Sequence, residues 1–98
     1  MICAVVKVRA KPGMGDKLVQ DFQDYSVWVK ANEPGVKVYT LNKDREAADV
    51  YWAVEFYDDE AAQALHMQNF QKVAATVGAT AAEPPTFQMF DFKAGFTA

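Results

Sequence analysis

The two side chains best suited to proton transfer in this sequence are His66, which is the only histidine, and Glu55. An unperturbed imidazole titrates near neutral pH, so His66 could act as a general base or a hydrogen-bond donor beside a cavity. The alternative is a structural histidine at a helix end, which caps carbonyl groups or packs beside Leu65 and Met67. The sequence pattern leaves both interpretations open.

Glu55 lies in the middle of an apolar and aromatic run that is typical of a strand. A carboxylate in such surroundings must be paired, hydrogen-bonded or shifted in pKa. It could therefore orient His66 or a substrate hydroxyl. It could instead pair with Lys7 or Arg9, either across the sheet or across a dimer. The face of the strand on which Glu55 lies is left open.

Aromatic residues make up 13% of the chain, and several could form the walls of a pocket for a flat ligand. Aromatic faces stack on planar rings, and tyrosine hydroxyls orient polar edges. The same residues could instead fill the core or the seam of a dimer. An alanine-rich helix facing them could leave a hollow or permit close packing. The candidate wall residues are Trp28, Tyr39, Tyr51, Trp52, Tyr57 and Phe70.

No motif for a cofactor or metal is present. The chain has no glycine-rich phosphate loop, no dinucleotide fingerprint and no Ser-His-Asp combination. One histidine, one cysteine and scattered acidic residues do not have metal-ligand spacing, and a single cysteine cannot form an intrachain disulfide. We therefore expect neither a cofactor nor a metal, and we expect Cys3 to be a small core residue.

Charge and length narrow the class of partner. The formal net charge of -3 argues against nucleic acid and against an anionic membrane surface. No stretch approaches the length of a membrane span, and the N-terminal apolar run is too short for a signal peptide. With 98 residues, we expect a single domain, residues 1–98, in the reducing cytoplasm.

The spacing of apolar residues predicts four strands and two helices. Strands are expected at residues 2–9, 36–42, 50–57 and 86–93. The first helix, 14–31, has an apolar stripe made by Met14, Leu18, Phe22, Tyr25 and Val29. The second helix follows Asp58 as N-cap and ends at Gly78. Its apolar stripe changes phase, which predicts a break near His66–Asn69 with Asn69 as a new cap.

The order strand, helix, strand, strand, helix, strand predicts an α+β fold of the ferredoxin-like split βαβ type. Right-handed crossovers place both helices on one face of a four-stranded antiparallel sheet. The strands nevertheless carry apolar residues on both faces, as where Trp52 and Val54 alternate with Tyr51 and Ala53. We therefore expect a second copy of the chain to cover the open face, giving a homodimer of the dimeric α+β barrel type.

The segment from Lys11 to Phe70 resembles the antibiotic biosynthesis monooxygenase (ABM) family, including the small quinol monooxygenase-like proteins. Each matching motif is short, but their order is specific and agrees with the predicted strand order. The motifs are Lys11-Pro12-Gly13 before the first helix, Glu33-Pro34-Gly35 before a strand that contains Tyr39, then Glu55-Phe56-Tyr57, Ala62, His66 and Phe70.

This resemblance implies cofactor-free oxidation of a small aromatic compound, such as a phenol, quinol or anthrone, by dioxygen. The substrate loses a proton, its anion passes an electron to dioxygen, and radical recombination gives a peroxide that collapses to a quinone and water. The resemblance implies that His66 is the base or donor and that Glu55 orients it. It also implies that Trp28, Tyr39, Trp52 and Phe70 bind substrate. The alternative within the same fold is a non-catalytic small-molecule-binding or stress-related dimer.

The sequence departs from the family it resembles at Tyr57, and it lacks the residues that haem-degrading relatives of that family use. Many ABM members carry tryptophan where this chain has Tyr57. Haem-degrading relatives use an asparagine on the first strand, together with a tryptophan and a histidine in the second helical region. No asparagine occurs in 2–9, and neither tryptophan nor histidine occurs in 70–78. The resemblance therefore disfavours haem degradation.

Overall fold

The computed structural model describes residues 1–98 as four strands and three helices. In chain order these are β1 (Ile2–Arg9), α1 (Gly15–Asn32), β2 (Val36–Lys43), β3 (Val50–Tyr57), α2 (Glu60–Phe70), α3 (Ala74–Thr80) and β4 (Thr86–Asp91). The strands form one antiparallel sheet in the order β2-β3-β1-β4. The predicted α+β ferredoxin-like fold is thereby confirmed, although β4 ends at Asp91 rather than at residue 93.

The strand register places Glu55 on the face of the sheet that the helices cover. Glu55 of β3 lies opposite Ala4 of β1 and Tyr39 of β2. Directly opposed residues project from the same face of a sheet. Because Ala4, like Val6 and Val8 on the same side of β1, is buried, this face is the inner one.

Helix α1 forms where apolar residues recur every three or four positions. Leu18 and Val29 are buried, and Asp16 in the first turn and Lys30 in the last complement the helix dipole. The helix ends where the backbone N–H of Glu33 donates to the carbonyl of Val29, 2.8 Å away. The proline at position 34 then turns the chain away from the helical region.

The break in the second helical region is real but lies later than predicted. Helix α2 continues through Phe70, and a turn at residues 71–73 separates it from α3. Asn69 is not a cap; its amide donates to Glu33 Oε2 at 3.3 Å, a tertiary contact that holds it within α2. The N-cap of α2 is Asp59 rather than Asp58, because the Asp59 carboxylate accepts from the backbone N–H of Ala62.

The predicted helix end at Gly78 is also wrong. Helix α3 passes through Gly78 and ends at Thr80. Gly78 does not have a positive φ, and a Cβ there would meet no atom within 4 Å. Nothing in its backbone or its surroundings therefore requires the helix to stop at this glycine.

The main core is small and lies between β1, β3 and the start of α1. It consists of Val6, Val8, Ala10, Leu18, Ala53 and Ala81. The opposite face of the sheet has no helix over it, and Val5, Val54 and Phe56 are only half-buried there. Cys3 is half-buried on this open face. The prediction that it is a core residue is therefore wrong. No helix is long and apolar enough to cross a membrane.

Candidate functional site

A cavity of about 690 Å³ lies between the helices and the inner face of the sheet. Its volume is within the range of small-molecule sites in proteins. The sheet contributes Val6, Val8, Tyr39, Leu41, Ala53 and Glu55; α1 contributes Leu18, Phe22, Tyr25 and Trp28; the second helical region contributes His66, Met67, Phe70, Val73 and Val77. Polar side chains also line the cavity, among them Asp21, Asp24, Asn69 and Lys72, but most of its surface is apolar. The buried polar groups therefore determine what chemistry it can support.

His66 lies on α2 and is one of the most deeply buried polar residues in the chain, at 2% exposed. Its Nδ1 lies 2.8 Å from Glu33 Oε1. An ionised carboxylate only accepts hydrogen bonds, so Nδ1 carries the proton in this pair. The other ring nitrogen, Nε2, lies 3.7 Å from Glu55 Oε1, beyond hydrogen-bonding distance. The imidazole is thus held at one nitrogen, and in its neutral form it has a lone pair at the other.

Glu33 is the functional candidate that the sequence does not predict. The local sequence around Glu33 indicates only a turn before Pro34, yet the Glu33 residue is 2% exposed. Its Oε1 accepts from His66 and its Oε2 accepts from Asn69, both on α2. Since these partners are 33 and 36 residues away in the chain, no local pattern could reveal the pairing. The only signal was the Glu33-Pro34-Gly35 motif of the resemblance.

Glu55 is buried beside His66 and accepts a hydrogen bond from the Tyr57 hydroxyl. Burial raises the pKa of Glu55, an effect that Tyr57 and His66 oppose and that Glu33 reinforces. Burial, together with the Glu55 charge, likewise raises the pKa of Tyr57, which therefore stays a donor. Within the chain, Glu55 pairs with neither Lys7 nor Arg9, because Arg9 pairs with Glu83 at 2.7 Å and Lys7 lies on the open face.

Aromatic rings surround the His66 imidazole. Its ring centroid lies 5.1 Å from that of Tyr39 and 6.2 Å from that of Phe70. Tyr25 lies 6.4 Å away and stacks on Trp28 at 5.6 Å. Burial raises the pKa of Tyr39, and Glu55 adds to this effect, so that its phenol also stays protonated. The structure thus brings Trp28, Tyr39 and Phe70 together around one cavity.

Trp52 does not line this cavity. It projects from the open face of β3, where its Nε1 donates to Asp44 Oδ2 at 3.0 Å and Lys7 Nζ lies 5.7 Å from its ring centroid. The hydrogen bond from Trp52 is the main cause that lowers the pKa of Asp44 to about 2. Trp52 therefore anchors the β2–β3 loop, and the structure separates it from Trp28, Tyr39 and Phe70. Tyr51 and Tyr57, the other two candidate wall residues, do not line the cavity either.

The arrangement is suited to proton abstraction from a bound hydroxyl. A neutral imidazole can accept a proton at Nε2, while the Glu33 carboxylate holds the ring and stabilises the imidazolium that forms. The surface of the cavity is mostly apolar, and a bound ligand that displaces water from it would strengthen each of these electrostatic contacts. No group of three potential metal ligands among histidine, cysteine and acidic side chains converges in the chain.

Comparison with known proteins identifies the family and agrees with the fold. The family model for antibiotic biosynthesis monooxygenases matches residues 1–84. A candidate antibiotic biosynthesis monooxygenase from Caulobacter crescentus superposes with a TM-score of 0.88 at 29% identity, over 95% of this chain and 90% of that chain. No curated protein sequence matches the chain.

Two more distant structures share the fold. One candidate antibiotic biosynthesis monooxygenase, from Deinococcus radiodurans, has a TM-score of 0.85 at 12% identity, over 100% of this chain and 98% of that chain. Another, from Nitrosomonas europaea, has a TM-score of 0.79 at 16% identity, over 94% and 98%. At these identities the likeness concerns the fold alone.

Proposed function

The chain belongs to the antibiotic biosynthesis monooxygenase family, and we propose that it oxidises a small aromatic hydroxy compound with dioxygen, without a cofactor. The substrate class is a quinol, phenol or anthrone-type compound. The observation that carries this proposal is a buried imidazole, His66, held at Nδ1 by Glu33 in the wall of an aromatic cavity.

In this proposal His66 is the catalytic base. Its Nε2 takes the proton of the substrate hydroxyl, and Glu33 stabilises the resulting imidazolium. The substrate anion transfers one electron to dioxygen, and the two radicals combine to form a carbon–oxygen bond. The resulting peroxide anion takes the proton back from the His66 imidazolium. The hydroperoxide, on a carbon that still carries a hydrogen, then loses water and leaves a carbonyl, so that one oxygen atom enters the product and the other leaves as water.

The remaining residues have binding and positioning roles in this proposal. Tyr39 and Phe70 flank the imidazole and Trp28 forms the outer wall, so that a planar ring can lie among them. Glu55 lies on the Nε2 side of His66 and orients the substrate hydroxyl. Trp52, on the open face of the sheet, has no role in binding substrate.

We further propose that the chain acts as a single-domain homodimer, in a reducing, cytoplasmic setting. The open sheet face carries half-buried Val5, Val54 and Phe56, which a second copy of the chain would cover. The free thiol of Cys3 fits a reducing compartment. A dimer through this face leaves the cavity, on the other side of the sheet, accessible.

Oxygen uptake with a panel of quinols, phenols and anthrones, measured without added cofactor, tests the proposed activity. Uptake above the buffer rate should fall by about 10²- to 10⁴-fold in His66→Gln, which keeps a polar side chain but no base. Gln68→Ala, an exposed change on the same helix, should leave the rate unchanged.

Two results would overturn the enzyme proposal. One is uptake at the buffer rate for every compound in the panel; the other is full activity in His66→Gln. If the compounds quench Trp28 fluorescence without oxygen uptake, the protein is the alternative, a non-catalytic small-molecule-binding dimer.

A further inference from the structure

The Tyr25 hydroxyl is the only buried side-chain polar atom in the chain that has no hydrogen-bond partner. Buried hydroxyls in folded proteins nearly always have a partner, because an unsatisfied buried donor costs free energy. An orphan of this kind in a cavity wall is therefore informative. Tyr25 lies in the wall of the aromatic cavity, on the side formed by α1.

No protein acceptor is hydrogen-bonded to this hydroxyl in the ligand-free chain. Glu33 is the acidic residue whose charge acts on Tyr25; its Oε1 accepts from His66 and its Oε2 accepts from Asn69. Glu55 accepts from Tyr57. The hydrogen bonds recorded for these two buried carboxylates come from other donors, and the Tyr25 hydroxyl makes none.

The Tyr25 ring is held on several sides, so the position of its hydroxyl oxygen is fixed. It stacks on Trp28 with 12° between the ring planes, and it meets Tyr39 and Phe70 edge-on at 6.5 and 6.2 Å. Burial raises the pKa of Tyr25, and the Glu33 charge adds to this, so the phenol stays protonated at neutral pH. The Tyr25 hydroxyl is thus a donor held in place, and no acceptor is bonded to it in the ligand-free protein.

We propose that Tyr25 donates a hydrogen bond to a second oxygen of the substrate, in addition to the hydroxyl that His66 deprotonates. This inference rests on the proposed function, because it takes the first hydroxyl to lie at His66. It narrows the substrate class to aromatic compounds with a hydroxyl and a separate acceptor oxygen: a carbonyl, an alkoxyl or a second hydroxyl. A simple phenol leaves Tyr25 unsatisfied and is a poor ligand.

Matched ligand pairs test this assignment. The probes are 1-naphthols with either a methoxy or an ethyl group at position 2, 4 or 5. Methoxy and ethyl have nearly the same shape, but only methoxy carries an acceptor oxygen. Binding is measured by calorimetry without oxygen, so no turnover is involved. For at least one position, the wild-type protein should bind the methoxy compound about tenfold more tightly than the ethyl compound.

The preference for methoxy should vanish in Tyr25→Phe, which keeps the ring and removes the donor. It should persist in Tyr51→Phe, the matched control, because Tyr51 does not line the cavity. The assignment is overturned if no pair binds, if no position shows a preference, or if the preference survives in Tyr25→Phe.

Because binding is measured without oxygen, the two proposals can fail separately. A methoxy preference that depends on Tyr25, in a protein that consumes no oxygen, supports the Tyr25 assignment and refutes the oxidation. Oxygen uptake that depends on His66, without any preference for methoxy, supports the oxidation and refutes the Tyr25 assignment.

The stability of the ligand-free protein gives a second test. Removing an unpaired hydroxyl should not destabilise the fold, so Tyr25→Phe should unfold at the same urea concentration as wild type or a higher one. Tyr57→Phe, which removes a hydroxyl bonded to Glu55, should unfold at a lower one. If Tyr25→Phe lowered the urea concentration of unfolding as much as Tyr57→Phe does, Tyr25 would already have a structural partner.

Discussion

Glu33 Oε1 lies 2.8 Å from His66 Nδ1, and both side chains are almost completely buried. Glu33 follows the end of α1, and His66 lies in the middle of α2. This contact therefore ties the relative position of the two helices to the orientation of the imidazole. A buried pair of this kind is costly to break, because either partner alone would be left as an unpaired polar group.

Glu33→Gln should lower the turnover number for oxygen uptake by about tenfold or more, since the imidazolium formed at His66 loses its neighbouring negative charge. Glu33 does not line the cavity, so the anaerobic dissociation constant for the same ligand should stay within about twofold. Steady-state kinetics and calorimetry measure the two quantities. Glu83→Gln removes the same charge from an exposed residue and should change neither.

A positioning role for Glu33 would be contradicted if turnover were unchanged, or if binding and turnover fell together. The second result would mean that the cavity itself had collapsed. The free energy of unfolding of Glu33→Gln, measured by urea denaturation, distinguishes such collapse from a local effect on His66.

Glu55 should make the stability of the fold depend on pH. Its pKa is raised above the ordinary value of 4.5, chiefly by burial. Between that value and the raised one, the folded state binds more protons than the unfolded state. This contribution to stability is therefore complete below pH 4.5 and declines as the pH rises through the raised pKa. Four groups near this carboxyl affect or feel its charge: Tyr57 and His66 favour its ionised form and Glu33 opposes it, while the Glu55 charge raises the pKa of Tyr39.

Glu55→Gln isolates the contribution of Glu55 to that dependence. The amide cannot ionise but can still accept from the Tyr57 hydroxyl. The free energy of unfolding of wild type minus that of Glu55→Gln should therefore fall as the pH rises from 4 to 8, in urea titrations at fixed ionic strength. A difference that is constant, or that rises with pH, would mean that the carboxyl group is not held in its neutral form by burial.

The sequence predicts the fold well because the fold depends on local periodicity. The strands and α1 follow patterns that repeat every two or every three to four residues, and their bounds match within one or two positions. The break between α2 and α3 moved because Asn69 is held by Glu33, a contact that no window of the sequence contains. Tertiary contacts of this kind determine where a helix end lies when propensity is weak.

The candidate site was only partly predictable, and for two different reasons. Glu33 could not be found, because its burial depends on a partner 33 residues away. Trp52, in contrast, could have been excluded: it is three residues from Glu55, and residues an odd number apart on a strand project from opposite faces. The register confirms that separation, since Trp52 lies opposite Lys7 and Glu55 lies opposite Ala4.

Gly35 and Gly78 should respond in opposite ways to replacement by alanine. A Cβ at Gly35 would lie 2.5 Å from the Cβ of Ala62, so the turn after Glu33 and helix α2 would have to move apart. Gly35→Ala should therefore lower the free energy of unfolding by about 1–3 kcal/mol. A Cβ at Gly78 meets nothing within 4 Å. Gly78→Ala should therefore raise the free energy of unfolding by about 0.5–1 kcal/mol.

Urea denaturation of both variants tests this close approach. If Gly35→Ala were as stable as Gly78→Ala, the turn would not pack against α2 as described. Because Ala62 and His66 lie on the same helix, four residues apart, Gly35→Ala should also weaken ligand binding, whereas Gly78→Ala should not.

The open face of the sheet should determine the oligomeric state. Val54 lies at its centre, opposite Val5 and Thr40, and is half-buried in the isolated chain. At micromolar concentration, light scattering should give about twice the chain mass of 10.9 kDa for wild type and the chain mass itself for Val54→Lys. A lysine there would place an unpaired charge in an apolar interface. Val27→Lys, at a residue 63% exposed on α1, should remain dimeric. A wild-type protein that stays monomeric and soluble would mean that the apolar face is stable in water, and the proposed dimer would then have no support.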